Sequence, residues 1–114
     1  MELELGEVVD SKGRRNTVTP MAHEVLPALR EHLVGVARRG GTITYGAVKR
    51  DLGLSYAANG MGRLLDLLSE DCFRRDEPSL AALVVSAATG EVGSDFEGDA
   101  AAGRRDVYAR WSNR

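Results

Sequence analysis

The chain has 114 residues, of which 43% are hydrophobic and 28% charged, and its formal net charge is −2. This length predicts one domain, and the composition is that of a globular protein rather than of a disordered chain. No apolar run approaches the roughly 18–20 residues that cross a bilayer. The acidic, alternating start is unlike a signal peptide, so we expect a cytoplasmic protein with no membrane association.

Cysteine and histidine usage limits the metal and disulfide chemistry of the chain. The single cysteine, Cys72, excludes an internal disulfide and a cysteine-based metal cluster. The two histidines, His23 and His32, are nine residues apart, a spacing that does not bring them together on one helix face. We therefore expect no metal ion and no cofactor.

The charged residues are unevenly distributed along the chain. Residues 1–10 and 91–99 carry only acids, whereas residues 38–63 carry five basic residues against the single Asp51. A net charge of −2 is not the profile of a general nucleic-acid binder. A basic segment within an acidic protein can still attract a polyanion locally.

Residues 1–19 are predicted to form an acidic N-terminal strand or arm with a linker, ahead of a winged-helix domain over residues 20–114. Residues 1–9 alternate Glu and Leu before a Val pair, which indicates an edge strand or a tail that orders on contact. Residues 10–18 are polar and contain turn-forming residues, which indicates a linker.

The first helix has recognisable ends. Thr19 and Pro20 form a helix start, with Thr as the N-cap and Pro in the first position. Apolar residues then recur at helical spacing as far as residue 39, and Gly40 and Gly41 end the helix. Pro27 lies inside this pattern and indicates either a later start or a kink.

Residues 42–68 are the centre of the predicted fold. Residues 42–45 are short and β-branched, which predicts a small strand. Thr44 is expected to cap a helix over residues 45–52 that Gly53 ends, and Ser55 to cap a second helix over residues 56–73.

Two glycines, Gly60 and Gly62, lie in the second of these helices. In a helix interior each costs about 1 kcal/mol relative to alanine. The close approach of another helix explains them, and so does the close approach of a nucleic-acid backbone.

The C-terminal third is predicted to contain a hairpin and a helix. Residues 80–85 and 91–96 read as two short strands joined by a turn. Residues 104–114 read as a terminal helix that docks through Val107, Tyr108 and Trp111. This order of elements predicts an α+β fold, a winged helix-turn-helix that is mostly helical with a small β-hairpin.

Residues 44–62 and the predicted hairpin resemble a known family. The segment TYGAVKRDLGLSYAANGMG is similar to the helix-turn-helix of alkylguanine-DNA alkyltransferases and alkyltransferase-like proteins, whose pattern is roughly TYxxLAxxxGxPxAARAVGxAL. The segment LVVSAATGEVGSDF is similar to the RVVxxxGxxGxY segment of that family. The residues at corresponding positions are Thr44, Tyr45, Val48, Gly53, Ala57, Ala58, Met61, Gly62, Leu65, Val84, Val85, Gly90 and Gly93.

The chain lacks the family's nucleophilic cysteine motif. The family's nucleophile lies in a Pro-Cys-His-Arg motif directly before the Val-Val pair, and Leu80–Leu83 stands there in this chain, with Ala81 at the thiol position. Cys72 lies farther upstream near a helix C-terminus, which disfavours a thiolate, and we interpret it as a half-buried structural residue. No histidine, nucleophile motif or phosphate loop accompanies the carboxylate pairs, so we expect neither alkyl transfer nor any other enzymatic activity.

Two family positions bear on DNA contact. The family's intercalating arginine falls on Asn59 and its base-flipping tyrosine on Tyr45. Asn59 is too short to fill a gap in a base stack, but it can hydrogen-bond an adenine edge. The alternatives are an exposed helix residue at 59 and an aromatic ring packed over the helix pair at 45.

Two functions are compatible with these observations. The first is a non-enzymatic protein that binds duplex DNA, in recognition of damaged or modified DNA, in restriction or in regulation. Arg38 and Arg39 would add phosphate contacts, and the acidic hairpin would oppose the approach of DNA. The candidate DNA-binding residues are Thr44, Tyr45, Lys49, Arg50, Ser55, Tyr56, Asn59 and Arg63. The alternative is a protein-interaction or adaptor module that forms a homodimer through its N-terminal strand or hairpin and binds no DNA.

Overall fold

Four helices and two pairs of short strands form the part of the chain that the structure describes. The structure is a computed structural model that describes residues 2–11, 14–55, 58–92 and 99–112. In chain order the elements are β1 (Val8–Ser11), β2 (Arg14–Thr17), α1 (Pro20–Arg38), β3 (Ile43–Thr44), α2 (Tyr45–Leu52), α3 (Ala58–Arg74), a 3₁₀ helix (Leu80–Leu83), β4 (Val84–Val85) and α4 (Ala100–Trp111). The predicted class, an α+β fold that is mostly helical with a small β-hairpin, is confirmed.

The hydrophobic core lies between α1, α3, the 3₁₀ helix and α4. The apolar stripe predicted for α1 is buried, and the stripe of α3 packs in the same core because both repeat at helical spacing. Leucine dominates this core, since the chain has few aromatic residues. Fully buried members are Leu26, Leu29, Leu33, Leu68, Leu80, Leu83 and Val107.

The small hairpin lies at the N-terminus and consists of β1 and β2. Val8 pairs with Thr17 and Ser11 with Arg14 in an antiparallel register. The prediction of a linker over residues 10–18 is therefore wrong, because residues 14–17 form a strand. This strand escaped prediction because all four of its residues are polar, so it lacks the alternation of apolar and polar residues that predicts a strand. The neighbouring Val18, just after the strand, is buried.

The N-terminal segment is held on α3 by buried and charged groups. The side chain of Leu3 is 2% exposed and belongs to the same core as α1 and α3. The backbone N–H of Glu2 donates to Oδ1 of the buried Asp71 at 2.7 Å. Arg74 pairs with the carboxylates of Glu7 and Glu70. Glu7 of this segment therefore pairs with a cation of α3.

Helix α1 begins and ends where its capping residues predict. The Oγ1 of Thr19 accepts a hydrogen bond from the N–H of Ala22 at 3.1 Å, and Pro20 occupies the first turn. At the other end Gly40 has φ +67°, a conformation that glycine adopts without strain. The helix continues through Pro27, so a later start is excluded.

The β3–α2 segment has the predicted bounds. The Oγ1 of Thr44 caps α2 by accepting from the N–H of Ala47 at 3.1 Å, and Gly53 ends the helix with φ +65°. Helix α3 is described from Ala58 onward, and the predicted cap by Ser55 depends on residues 56 and 57, which lie outside the described residues.

The hairpin predicted over residues 80–96 is wrong in its first strand. Leu80–Leu83 forms a 3₁₀ helix, and only Val84–Val85 is a strand, which pairs in parallel with Ile43–Thr44. A short apolar run without alternation does not distinguish a strand from a buried helical turn. Residues 93–96 of the second predicted strand lie outside the described residues, so the wing of a winged helix stays a prediction.

The terminal helix α4 starts earlier than predicted and docks as predicted. Asp99 caps it by accepting from the N–H groups of Ala101 and Ala102, so the helix begins at residue 100 rather than 104. Val107 is buried, and the hydroxyl of Tyr108 donates to the carbonyl of Gly41 at 2.8 Å. This bond fixes α4 against the end of α1.

Candidate nucleic-acid interface

Helix α2 carries four of the predicted DNA-binding residues at its start and on its outer side. The Thr44 hydroxyl accepts from the N–H of Ala47 as the N-cap of α2, which leaves its proton and one lone pair for a further contact. Tyr45 is half-buried and packs against the core, which agrees with its alternative interpretation as a packed aromatic. Val48 is fully buried, whereas Lys49 is half-buried and Arg50 is exposed. Core burial of Val48 thus fixes which side of α2 faces outward.

Arg50 differs from Lys49 in its partners. The Nε of Arg50 lies 3.3 Å from Oδ1 of Asp51, and Oδ2 of Asp51 lies 3.2 Å from Nε2 of His32 on α1. The Arg50 side chain remains 76% exposed, so this contact is weak and open to solvent. The side chain of Lys49 makes no hydrogen bond or ion pair with another described residue.

Four cations in residues 38–63 have no acidic partner among the described residues. We name them the unpaired cations, and they are Arg38, Arg39, Lys49 and Arg63. Each is exposed or half-buried, so each can meet an external anion without losing an internal contact. The sequence counted five basic residues here, and the structure shows that Arg50 alone shares its charge with an acid.

The cations of α1, α3 and α4 near the C-terminal end of α3 are neutralised instead. Arg30 and Arg110 donate to Glu77, whose pKa is lowered chiefly by the Arg30 hydrogen bonds. Arg75 donates to Asp71 at 3.1 Å, and Arg74 is held between two glutamates that raise its pKa. These cations are therefore paired with carboxylates of the protein itself.

The remaining predicted contacts lie between α2 and the first turns of α3. Ser55 is exposed. Tyr56 lies outside the described residues, and Asn59 belongs to α3 while its side chain lies outside the described part of the chain. Arg63 is exposed one turn after residue 59, so these two positions share a face of α3.

The acids expected to oppose DNA are partly engaged. Oε1 of Glu91 lies 3.5 Å from Nη2 of Arg104, and Asp99 serves as the N-cap of α4. Asp95 and Glu97 lie outside the described residues. The predicted repulsion by these acids therefore stays a prediction.

The thiol and the position that aligns with the family nucleophile are both in the core. Cys72 is 0% exposed, and burial raises the pKa of its thiol. Its interpretation as a structural residue agrees with this burial, which is complete rather than partial. Ala81 is buried in the 3₁₀ helix.

One feature beside Arg63 was missed by the sequence interpretation. Asn16, assigned to the linker, is 2% exposed, and neither its Oδ1 nor its Nδ2 has a hydrogen-bond partner among the described residues. The sequence contains one signal for this burial: Asn16 lies two residues before the apolar Val18, and alternate residues of an extended segment share a face. That signal requires knowing that residues 14–17 form a strand.

Fold and site together define a small α+β domain whose unpaired cations are concentrated in residues 38–63. No family model matches the chain, and no curated protein or solved structure matches it. The resemblance to the alkyltransferase helix-turn-helix therefore stays a prediction. In the described part of the chain, no helix is long and apolar enough to cross a membrane, and no group of three or more His, Cys, Asp or Glu side chains is placed to hold a metal ion.

Proposed function

We propose that this protein is a non-enzymatic DNA-binding domain that holds duplex DNA along α2 and the first half of α3. The observation that carries the proposal is the division of the cations into a neutralised set and the unpaired cations. A cation that already donates to a buried carboxylate must lose that bond to contact phosphate, whereas Lys49 and Arg63 have no such bond to lose. Phosphate oxygens are the external anions that such a surface meets along a duplex.

Phosphate contacts and base contacts have different roles in this proposal. Lys49, Arg38 and Arg39 would contact phosphates and set the orientation of the domain. Arg63 and Asn59, one turn apart on α3, would touch base edges, because guanidinium and amide groups pair with guanine and adenine in the major groove. The winged-helix arrangement and the alkyltransferase likeness support this placement of α3 as expectations from sequence.

Salt dependence provides the test, because each neutralised phosphate releases counterions. Phosphate contacts by Arg38, Arg39 and Lys49 give a slope of log affinity against log salt of about −2.7, which is about a 40-fold loss of affinity between roughly 50 and 200 mM salt. Fluorescence anisotropy with a labelled duplex measures this slope directly. Lys49→Gln should reduce its magnitude by about 1.

Arg74→Gln is the matched control, since it removes the same charge from a cation that already pairs with two glutamates. We expect it to leave the slope unchanged. Undetectable binding at about 50 mM salt, where phosphate contacts are strongest, would refute the proposal. Binding that is insensitive to both Asn59→Ala and Arg63→Ala would show that another face holds the DNA.

A second candidate function is homodimerisation or adaptor binding through the N-terminal hairpin without DNA. Two apolar side chains of this segment are exposed, Leu5 at 58% and Val8 at 47%. A two-stranded sheet also leaves one edge of each strand for pairing with another chain. Light scattering during size exclusion separates monomer from dimer, and Val8→Lys should abolish a hairpin-mediated dimer while Met21→Lys, another exposed apolar position, should not.

A further inference from the structure

A cleft lies between β2, the start of α1 and the first half of α3. Its volume is about 340 Å³, at the lower end of the range of small-molecule sites. Its lining combines polar groups of the hairpin with apolar groups of the two helices. The lining residues are Arg15, Asn16, Thr17, Thr19, Ala22, Gly60, Arg63, Leu64 and Leu67.

Asn16 supplies an amide whose hydrogen-bonding capacity is unused. Its side chain is 2% exposed, and both amide atoms lack a partner among the described residues. Buried amides are nearly always hydrogen-bonded, because leaving donor and acceptor unpaired away from water is costly. An amide in the wall of a cleft that is left unpaired is typical of a group that meets its partner when a ligand binds.

Arg63 supplies an unpaired positive charge at the same cleft. It is exposed and has no acidic partner in the described part of the chain. Arg15 also lines the cleft, and its contact with Asp10, at 3.5 Å between side chains that are 80% and 78% exposed, is open to solvent. The cleft therefore attracts an anionic group.

The helix side of the cleft is apolar. Leu64 and Leu67 of α3 and Ala22 of α1 contribute side chains that are 1%, 2% and 4% exposed. Gly60 lies among them and has no side chain to fill the space. A flat ring can contact these groups while its edge meets Asn16.

We propose that this cleft binds a nucleotide, with the base edge on the Asn16 amide, the ring against Leu64 and Leu67, and the phosphate on Arg63. An asparagine amide pairs with the adjacent donor and acceptor of adenine, and a two-ring purine covers more of the apolar side of the cleft than a pyrimidine does, so an adenine nucleotide is the favoured ligand. Both amide atoms are covered from solvent, so binding of the base requires a rotation of the Asn16 side chain. A free mononucleotide and a nucleotide within a DNA strand share this chemistry, and the site does not require the phosphate contacts of α2.

Titration of the full chain with AMP, UMP, adenosine and inorganic phosphate tests the proposal, with calorimetry for affinity and amide NMR shifts for location. We expect AMP to bind more tightly than UMP, because its larger ring contacts more apolar surface, and to shift the signals of Asn16 and Gly60. Adenosine should bind more weakly than AMP because it lacks the phosphate. An absence of saturable AMP binding, or phosphate binding as tight as AMP binding, would overturn the proposal.

Three variants locate the interactions. Asn16→Leu should weaken AMP binding about tenfold or more through loss of the amide pair, and Arg63→Gln should weaken AMP and UMP equally. Arg105→Gln, an exposed arginine of α4 outside the cleft, is the matched control and should leave affinity unchanged. AMP affinity that is unaltered in both cleft variants would refute the site. Thermal unfolding checks that Asn16→Leu is folded. If it is not folded, the site is tested by two other measurements: the preference of the wild type for AMP over UMP, and the loss of AMP affinity in Arg63→Gln.

A trinucleotide with one central adenine separates the two sources of the ligand. Tighter binding of AMP than of the trinucleotide assigns the cleft to free nucleotides, and the reverse order assigns it to a strand. Either order supports a nucleotide site. Failure of the duplex proposal is distinguishable, because Lys49→Gln changes the salt slope for duplex while Asn16→Leu changes the affinity for AMP.

Discussion

Replacing Glu77 by glutamine removes a buried charge that joins α1 to α4. Nη1 and Nη2 of Arg30 donate to the two carboxylate oxygens at 2.7 and 3.1 Å, and Nη2 of Arg110 donates at 3.3 Å. The Glu77 side chain is 6% exposed and that of Arg30 is 17% exposed. The guanidinium carbons of both arginines lie 5.4 and 5.2 Å from the ring centroid of Trp111. Glutamine preserves the size of the side chain and leaves Arg30 without its counter-charge.

The size of the effect follows from this burial. Breaking a buried ion pair from one side costs about 3–5 kcal/mol, because the remaining charge is left uncompensated. Arg30 retains some solvent contact, and glutamine still accepts one hydrogen bond. We therefore expect Glu77→Gln to lower the free energy of unfolding by about 2–3 kcal/mol, which corresponds to a melting temperature lower by about 10 °C for a domain of this size.

Urea unfolding followed by far-UV circular dichroism measures this change, and the single tryptophan, Trp111, reports the local environment by fluorescence. Glu70→Gln is the matched control, because it makes the same substitution in an ion pair that is more exposed. Glu70 pairs with Arg74 at 2.9 Å, and the Glu70 side chain is 33% exposed. Such an exposed pair one helical turn apart contributes about 0.3–0.5 kcal/mol. If Glu77→Gln costs no more than Glu70→Gln, the buried pair does not stabilise the fold and the reasoning is wrong.

Three further predictions follow from capping, burial and ionisation. Since Arg30 holds the pKa of Glu77 below its ordinary value of 4.5, the stabilisation is complete above pH 4.5 and is lost as pH falls through the lowered pKa. Urea unfolding across pH should therefore show wild type losing more stability in acid than Glu77→Gln. Thr44→Ala should lower the free energy of unfolding by about 1 kcal/mol through loss of the α2 cap, and Thr42→Ala, at an exposed position, should change it little. Cys72 should resist a thiol reagent in the native state and react in denaturant, because it is 0% exposed and burial raises the pKa of its thiol; native reactivity would contradict that burial.

The helix ends were predictable because caps are local. Thr19 with Pro20, and Thr44 with Gly53, fix the ends of α1 and α2 through bonds between residues at most a few positions apart. The 3₁₀ helix was not predictable in this way. Its four residues are all apolar, and their conformation depends on packing between α1, α3 and α4.

The candidate site was only partly predictable for a different reason. The sequence gives the number of cations in residues 38–63, but whether a cation is available depends on partners far away in the chain. Arg30 and Glu77 are 47 residues apart, and Arg74 and Glu7 are 67 residues apart. No local pattern contains these pairs. The same holds for Asn16, whose significance depends on α3 closing the cleft.

Charge segregation changes how the net charge of −2 bears on function. One acid of the N-terminal segment, Glu7, pairs with Arg74, and one acid of the loop after α3, Glu77, pairs with Arg30. An acidic total is compatible with cations that have no acidic partner, because Arg38, Arg39, Lys49 and Arg63 lie apart from most of the acids in sequence.

Arg63 is the residue at which the two proposals meet, since it is one of the unpaired cations and also lines the Asn16 cleft. A guanidinium at the rim of a cleft can contact a base edge of a duplex or the phosphate of a bound nucleotide, but not both at full strength. If both sites exist, AMP should therefore weaken duplex binding in the wild type. The same addition should have no effect in Arg63→Gln, where the shared group is absent. Competition that persists in Arg63→Gln would mean that the two ligands overlap elsewhere, and the assignment of the phosphate to Arg63 would fall.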